Sequence, residues 1–205
     1  MKKNIALVAL IVAAIAPQLA FADDAESPWL VRLRAVQINP ANGSDAVGGV
    51  GAPNRISISS KTIPEGDISY FFTPNWAAEL VLTYPQTHTV YLDGGSIGTF
   101  KQLPPTLLMQ YHFMPQETFS PYVGVGLNYT RISNVSLASG MTLQSNSIGA
   151  ALQAGLDIKL DRHWSLNVDV KKVQMGSDVY AASGAKVSSV QIDPWLIGAG
   201  VGYRF

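Results

Sequence analysis

A histidine and a serine two residues apart, His163-Trp164-Ser165, are the side-chain types that acyl transfer uses as base and nucleophile. They follow Asp161-Arg162 in a short polar stretch between two apolar alternations. A polar turn followed by an interfacial tryptophan explains them more simply. His88 has no evident partner acid and serine, and His112 falls among the inward polar positions described below. Gly124-x-Gly126 lacks the third glycine and the following helix of a dinucleotide loop. The chain has no cysteine, which removes disulfides and cysteine-based zinc or iron–sulfur sites, and no metal-ligand cluster stands out. A formal net charge of +0 gives no basic footprint for nucleic acid. No catalytic, cofactor-binding or metal residue is therefore assigned, no cofactor is expected, and the chain does not read as an enzyme. What remains is charge of both signs at strand-like spacing, and its meaning depends on the elements that carry it.

The first of these segments is a leader. Met1-Lys2-Lys3 is basic, 5–16 is apolar, Pro17 breaks the run, and Ala20-Phe21-Ala22 reads as a cleavage site. The apolar run is short for a membrane helix of about 20 residues. Residues 1–22 are thus expected to be a signal peptide and 23–205 the mature domain. The rest of the chain alternates at period two. Counting back from the end, Phe205, Tyr203, Val201, Ala199, Ile197 and Trp195 share one face; Arg204, Gly202, Gly200, Gly198, Leu196 and Pro194 share the other. Large apolar groups opposite small or charged ones suit a wall with lipid outside and a narrow lumen inside. The pattern predicts strands over 29–39, 56–72, 76–92, 100–113, 120–132, 147–160, 164–177 and 187–205, joined by alternately short and long connections. The long connections are 40–54, 93–99, 133–145 and 178–186. The expected fold is all-β: an eight-stranded antiparallel transmembrane β-barrel with both ends in the periplasm. Tyr203 and Phe205 resemble the terminal signal read by the outer-membrane assembly machinery.

Such a barrel is only wide enough to be filled by its own side chains. Near the periplasmic end the inward positions are Arg32, Arg34, Asp67, Glu79, Gln110, His112, Asp157, Lys159, Asn167, Asp169 and Arg204. Buried charges persist when paired, so a salt-bridged periplasmic plug is expected. Higher up, Val36, Ile38, Ile63, Val81, Pro85, Leu108, Val173 and Leu196 form an apolar lumen, a pocket for a ligand or plain core filling. Pro64, Pro85, Pro104, Pro105 and Pro194 fall inside predicted strands, where proline cannot donate to the ladder. They are candidates for a lateral opening in the wall.

Leu103-Pro104-Pro105-Thr106-Leu107, Pro121-Tyr122-Val123-Gly124 with Asn128-Tyr129-Thr130, and Asp193-Pro194-Trp195 through Gly202-Tyr203-Arg204-Phe205 resemble the OmpW family of small outer-membrane proteins. The resemblance covers nearly the whole mature chain, but the first and third long loops are this chain's own. It implies a monomeric barrel in the outer membrane of a Gram-negative bacterium, in contact with outer-membrane lipid, that takes up small hydrophobic solutes. The competing readings are a closed structural or adhesive barrel acting through its extracellular loops, and a soluble lipocalin-like carrier. Outward apolar faces and Phe205 argue against the carrier.

Overall fold

Period-two alternation sends successive side chains to opposite faces of a strand. The computed structural model describes residues 27–205, and the expected leader at 1–22 lies outside the described residues. In chain order the strands are β1 (Trp29–Asn39), β2 (Gly43–Ser44), β3 (Ile56–Ile58), β4 (Lys61–Phe71), β5 (Trp76–Leu82), β6 (Gln86–Leu92), β7 (Gly95–Leu103), β8 (Thr106–His112), β9 (Phe119–Leu137), β10 (Thr142–Leu143), β11 (Asn146–Lys159), β12 (Trp164–Val173), β13 (Gly176–Tyr180), β14 (Lys186–Gln191) and β15 (Trp195–Arg204). Eight of them form a closed antiparallel ring in the order β11-β12-β15-β1-β4-β5-β8-β9. The β9–β11 ladder, from Phe119↔Ile158 to Arg131↔Asn146, closes it. First and last strands are neighbours, from Leu30↔Arg204 to Asn39↔Trp195. The expected eight-stranded barrel is the observed one.

The sequence pattern predicts unbroken strands over 56–72, 76–92, 100–113, 164–177 and 187–205. The structure interrupts each of them, at 59–60, 83–85, 104–105, 174–175 and 192–194. Proline supplies a reason in three of the five breaks: Pro85, Pro104-Pro105 and Pro194 have no N–H for a ladder. Beyond the breaks the chain forms an extension of the barrel, not free loops. β3, β6 and β7 continue the main sheet on the upper part of β9, and β10, β13, β14 and β2 make a second sheet. β9 itself runs to Leu137, past the expected end at 132, because Ile132 is buried and Val135 and Leu137 pack against the same apolar cluster.

The outer face follows the lipid. Exposed Leu33, Leu80, Leu107, Val125, Leu127, Leu152, Val168 and Ile197 form the apolar belt. At the end with the short turns, Trp29–Tyr70, Trp76–Tyr111 and Trp164–Tyr203 are edge-to-face pairs with centroids 4.8–5.0 Å apart, an interfacial girdle. Exposed Tyr84, Tyr129 and Trp195 mark the other rim. Inside, the glycine face of β15 makes room for arginine. A Cβ at Gly200 would collide with the Leu33 carbonyl and come within 2.8 Å of Arg34 Cγ; one at Gly202 would stand 3.3 Å from Arg32 Cγ.

Candidate functional site

The inward positions of β1 bring Arg32 and Arg34 into the barrel axis, where neither reaches water. Arg32 makes a two-toothed contact with Asp157, Nε to Oδ1 at 3.1 Å and Nη2 to Oδ2 at 2.7 Å. Its Nη1 reaches Asp67 at 3.2 Å and Ser69 Oγ at 3.1 Å. Arg34 Nη2 lies 2.6 Å from Asp67, 3.1 Å from Glu79 and 3.2 Å from Glu65, while its Nη1 meets Asp169 at 3.0 Å. Lys171 bridges Glu65 at 2.5 Å and Asp169 at 3.2 Å. Amides extend the network: Gln110 donates to Gln153 (2.8 Å) and Gln153 to Asp169 (2.8 Å). His112 sits on Gln110 Oε1 at 3.3 Å and stacks on Tyr122 at 4.9 Å.

The structure thus brings together Arg32, Arg34, Asp67, Glu79, Gln110, His112, Asp157, Asn167 and Asp169 in one buried lattice. Lys159 and Arg204 stand at its lower edge, lining one small cavity with His112 and Asp157. Both are partly exposed, at the mouth with the short turns. Lys159 donates to the Pro115 carbonyl at 2.6 Å; Arg204 donates to the Ser27 carbonyl at 2.9 Å and lies 4.3 Å over the Phe71 ring. The sequence reading missed Glu65 and Lys171, each two residues along its strand from a predicted member, Asp67 and Asp169, and on the same face.

Above the lattice the lining turns apolar. Val36, Ile38, Ile63, Val81, Leu108, Val173 and Leu196 are buried in one cluster. The cluster continues upward through Ile56, Val90, Phe100, Ile132, Val179 and Val190, and encloses a chamber of about 40 Å³. Pro85 is a correction: it is exposed in the break between β5 and β6. Inward residues are odd-numbered through Val81 and even-numbered from Gln86, so the break slips the alternation by one and turns Pro85 outward.

The other prolines differ from one another. Pro64 is exposed within β4, opposite Ala35. On its far side the β4–β5 ladder has already ended at Gly66↔Leu82, and Thr83 Oγ1 donates to the Pro64 carbonyl at 3.2 Å. Pro104 and Pro105 are half-buried, and their carbonyls each accept from Asn128 Nδ2 at 3.3 Å. Pro194 is buried, and its carbonyl accepts from Val173 N. Tyr203 and Phe205 belong to the girdle, their rings 5.2 Å apart.

His163 lies exposed at a turn, donates from Nδ1 to the Arg204 carbonyl at 2.8 Å and stacks on Tyr203; Ser165 faces the interior. Among the described residues, no group of three or more His, Asp or Glu is placed to hold a metal ion. In the extension, burial pushes His88 below the ordinary histidine value, against the opposing hydrogen bond to Ser59 and with help from Lys61.

A ring of eight strands with lipid outside, charge below and hydrocarbon above narrows the choice to small outer-membrane barrels, and the comparisons decide it. The sequence model of the OmpW family matches residues 25–205. The chain belongs to the OmpW family. It is 44% identical over 186 residues to an uncharacterized outer-membrane protein, y4mB, of Sinorhizobium fredii, covering 87% of this chain and 80% of that one. It is 31% identical to outer membrane protein W of Vibrio cholerae, covering 88% of this chain and 89% of the relative. The crystal structure of the outer membrane protein OprG from Pseudomonas aeruginosa superposes with a TM-score of 0.76 at 30% identity, covering 88% of this chain and 97% of that one. This OmpW-family barrel therefore resides in the outer membrane of a Gram-negative bacterium.

Proposed function

We propose that the protein takes up small hydrophobic molecules: they enter the apolar chamber from outside, are stopped by the ion lattice acting as a plug, and leave sideways into the membrane. The observation that carries this reading is the stacking of the two linings. An apolar chamber in the extension, standing on the aliphatic filling of the upper barrel with a lattice of ion pairs beneath, offers a hydrocarbon-like solute a place to bind and no aqueous way through. The lateral exit is supported by the wall beside the chamber. Beyond Gly66↔Leu82 the ladder between β4 and its neighbour stops, and the next links are Thr83 to Pro64 and, farther up, Thr89 and His88 to Ser59. Pro64 and Pro85 flank this seam. Tyr203 and Phe205 act as the recognition end for the assembly machinery during insertion.

A chamber of about 40 Å³ is smaller than the roughly 150 Å³ that a benzene-sized guest occupies in a protein core. Entry therefore requires the capping segments around Val47, Leu137 and Met141 to part. Uptake is measured in cells lacking the protein, with and without the chain restored, using one small apolar and one small polar probe. Faster apolar uptake with an unchanged polar rate is expected. Faster polar uptake means an open porin, and no change in either leaves the structural or adhesive reading. The exit is tested by stapling. The chain has no cysteine, so Pro64→Cys with Thr83→Cys places one disulfide across the seam. Oxidation is expected to stop apolar uptake and reduction to restore it.

A further inference from the structure

Outside the ion lattice, two buried polar atoms of the described residues have no hydrogen-bond partner: Gln86 Oε1 and Gln102 Oε1. They are not scattered. Gln86 and Gln102 are direct cross-strand partners on β6 and β7, and both side chains face inward. Directly opposite residues on one face of an antiparallel pair have Cβ atoms about 5 Å apart. One step up each strand lie His88 and Phe100, stacked at 5.8 Å, and Val90 and Phe100 line the apolar chamber. The two amides therefore stand one layer below the chamber, beneath Phe100 and His88 and outside its lining, beside the seam at Pro85.

The direction of each amide is fixed by its neighbours. The Ser59 carbonyl can only accept, so the His88 ring carries its proton on Nδ1, which donates to it at 3.2 Å. Nε2 is then an acceptor, and Gln102 Nε2 donates to it at 3.2 Å. That turns Gln102 Oε1 away. Gln86 Nε2 donates to the Tyr84 carbonyl at 3.0 Å and approaches Thr83 Oγ1 at 3.4 Å, which turns its Oε1 away as well. A buried acceptor without a donor is costly, and a site that leaves one in place discriminates in favour of a guest that supplies the donor.

We infer that Gln86 and Gln102 form an acceptor pair that binds the hydroxyl or N–H of an otherwise apolar guest reaching down from the chamber toward the seam, so that the barrel prefers phenols and alcohols to hydrocarbons of the same shape. The apolar lining takes the body of the molecule and the pair takes its one polar hydrogen. This deepens the uptake reading and rests on it for its physiological role, though the binding site itself does not depend on transport.

Phenol and toluene are near-isosteric and differ in the hydroxyl. Binding of each to the barrel in lipid nanodiscs is followed at matched free aqueous concentration by the side-chain amide NMR signals of Gln86 and Gln102. Phenol is expected to shift both amides, with toluene shifting neither. In Gln86→Met and Gln102→Met, which keep side-chain length and remove the acceptor, the phenol-to-toluene affinity ratio is expected to fall about tenfold, the scale of one neutral hydrogen bond. The wild-type amide shifts need no variant to fold. Unmoved amides under phenol, or an unchanged affinity ratio in both variants, overturn the acceptor pair. Amide shifts without any faster cellular uptake of either probe uphold the pair and overturn the uptake reading instead.

Discussion

Arg34 holds Glu65, Asp67, Glu79 and Asp169 together through two terminal nitrogens, at 2.6 to 3.2 Å. Arg34→Met keeps much of the length and leaves buried carboxylates uncompensated. A loss of about 3–5 kcal/mol is expected, as for one partner removed from a buried charge pair; urea unfolding in lipid vesicles measures it. His88 behaves differently because it is buried without charge. Its proton affinity is depressed from the ordinary value of 6.5 by burial. The opened chain thus takes up a proton before the folded one does. Stability of the β3–β6–β7 extension is full above about pH 6.5 and falls as the pH drops below it, with His88→Gln flattening the dependence in amide exchange of those strands. Much of this residue-level detail was legible. Arg32, Arg34, Asp67, Glu79, Asp157 and Asp169 could be named because period two fixes the face of every residue once one is known. The pattern gives a face but only a coarse height, so it does not tell that Lys159 and Arg204 stand partly exposed at the lower edge of the lattice and not at its centre.

At the scale of the element, glycines on inward faces are sockets. A Cβ at Gly155 on β11 would run into the Tyr122 ring of β9, and Tyr122 Oη accepts from Asn167 Nδ2 at 3.0 Å. Gly155→Ala is expected to cost about 1–3 kcal/mol through overpacking. Tyr122→Leu in the same chain should recover part of it, read from the unfolding midpoints of the single and double variants. The same alternation that exposed these sockets hid the breaks. Val81 and Gln86 both face inward, five residues apart, so an odd spacing interrupts the count near Pro85. A reading that carries the phase straight through turns Pro85 in and Gln86 and His88 out, the reverse of what the structure has. Proline marks that a ladder is interrupted, not whether the chain resumes in step. Across Pro104-Pro105 it does: Gln102 and Thr106 are both buried.

For the whole molecule, the order of linings along the axis follows from what each depth can tolerate. Charge inside the lower barrel is sheltered from lipid by the strand wall, and the aliphatic cluster fills the upper barrel and the extension that stands on β9. The connectivity of the lattice has a further consequence, for the order in which the barrel is made. Arg32 and Arg34 lie on the first strand. Asp67 and Glu79 come soon after them in the chain, but Asp157 and Asp169 lie 125 and 135 positions away, on strands that reach β1 only when β15 docks beside it. A half-inserted sheet of early strands would hold arginines in the hydrocarbon with part of their counter-charge missing, and a sheet of late strands would hold Asp157 without its arginine and Asp169 with Lys171 alone. Partial intermediates are thus penalised from both ends of the chain, so closure of the ring and completion of its ion lattice are a single event, and passage into the bilayer is all-or-none.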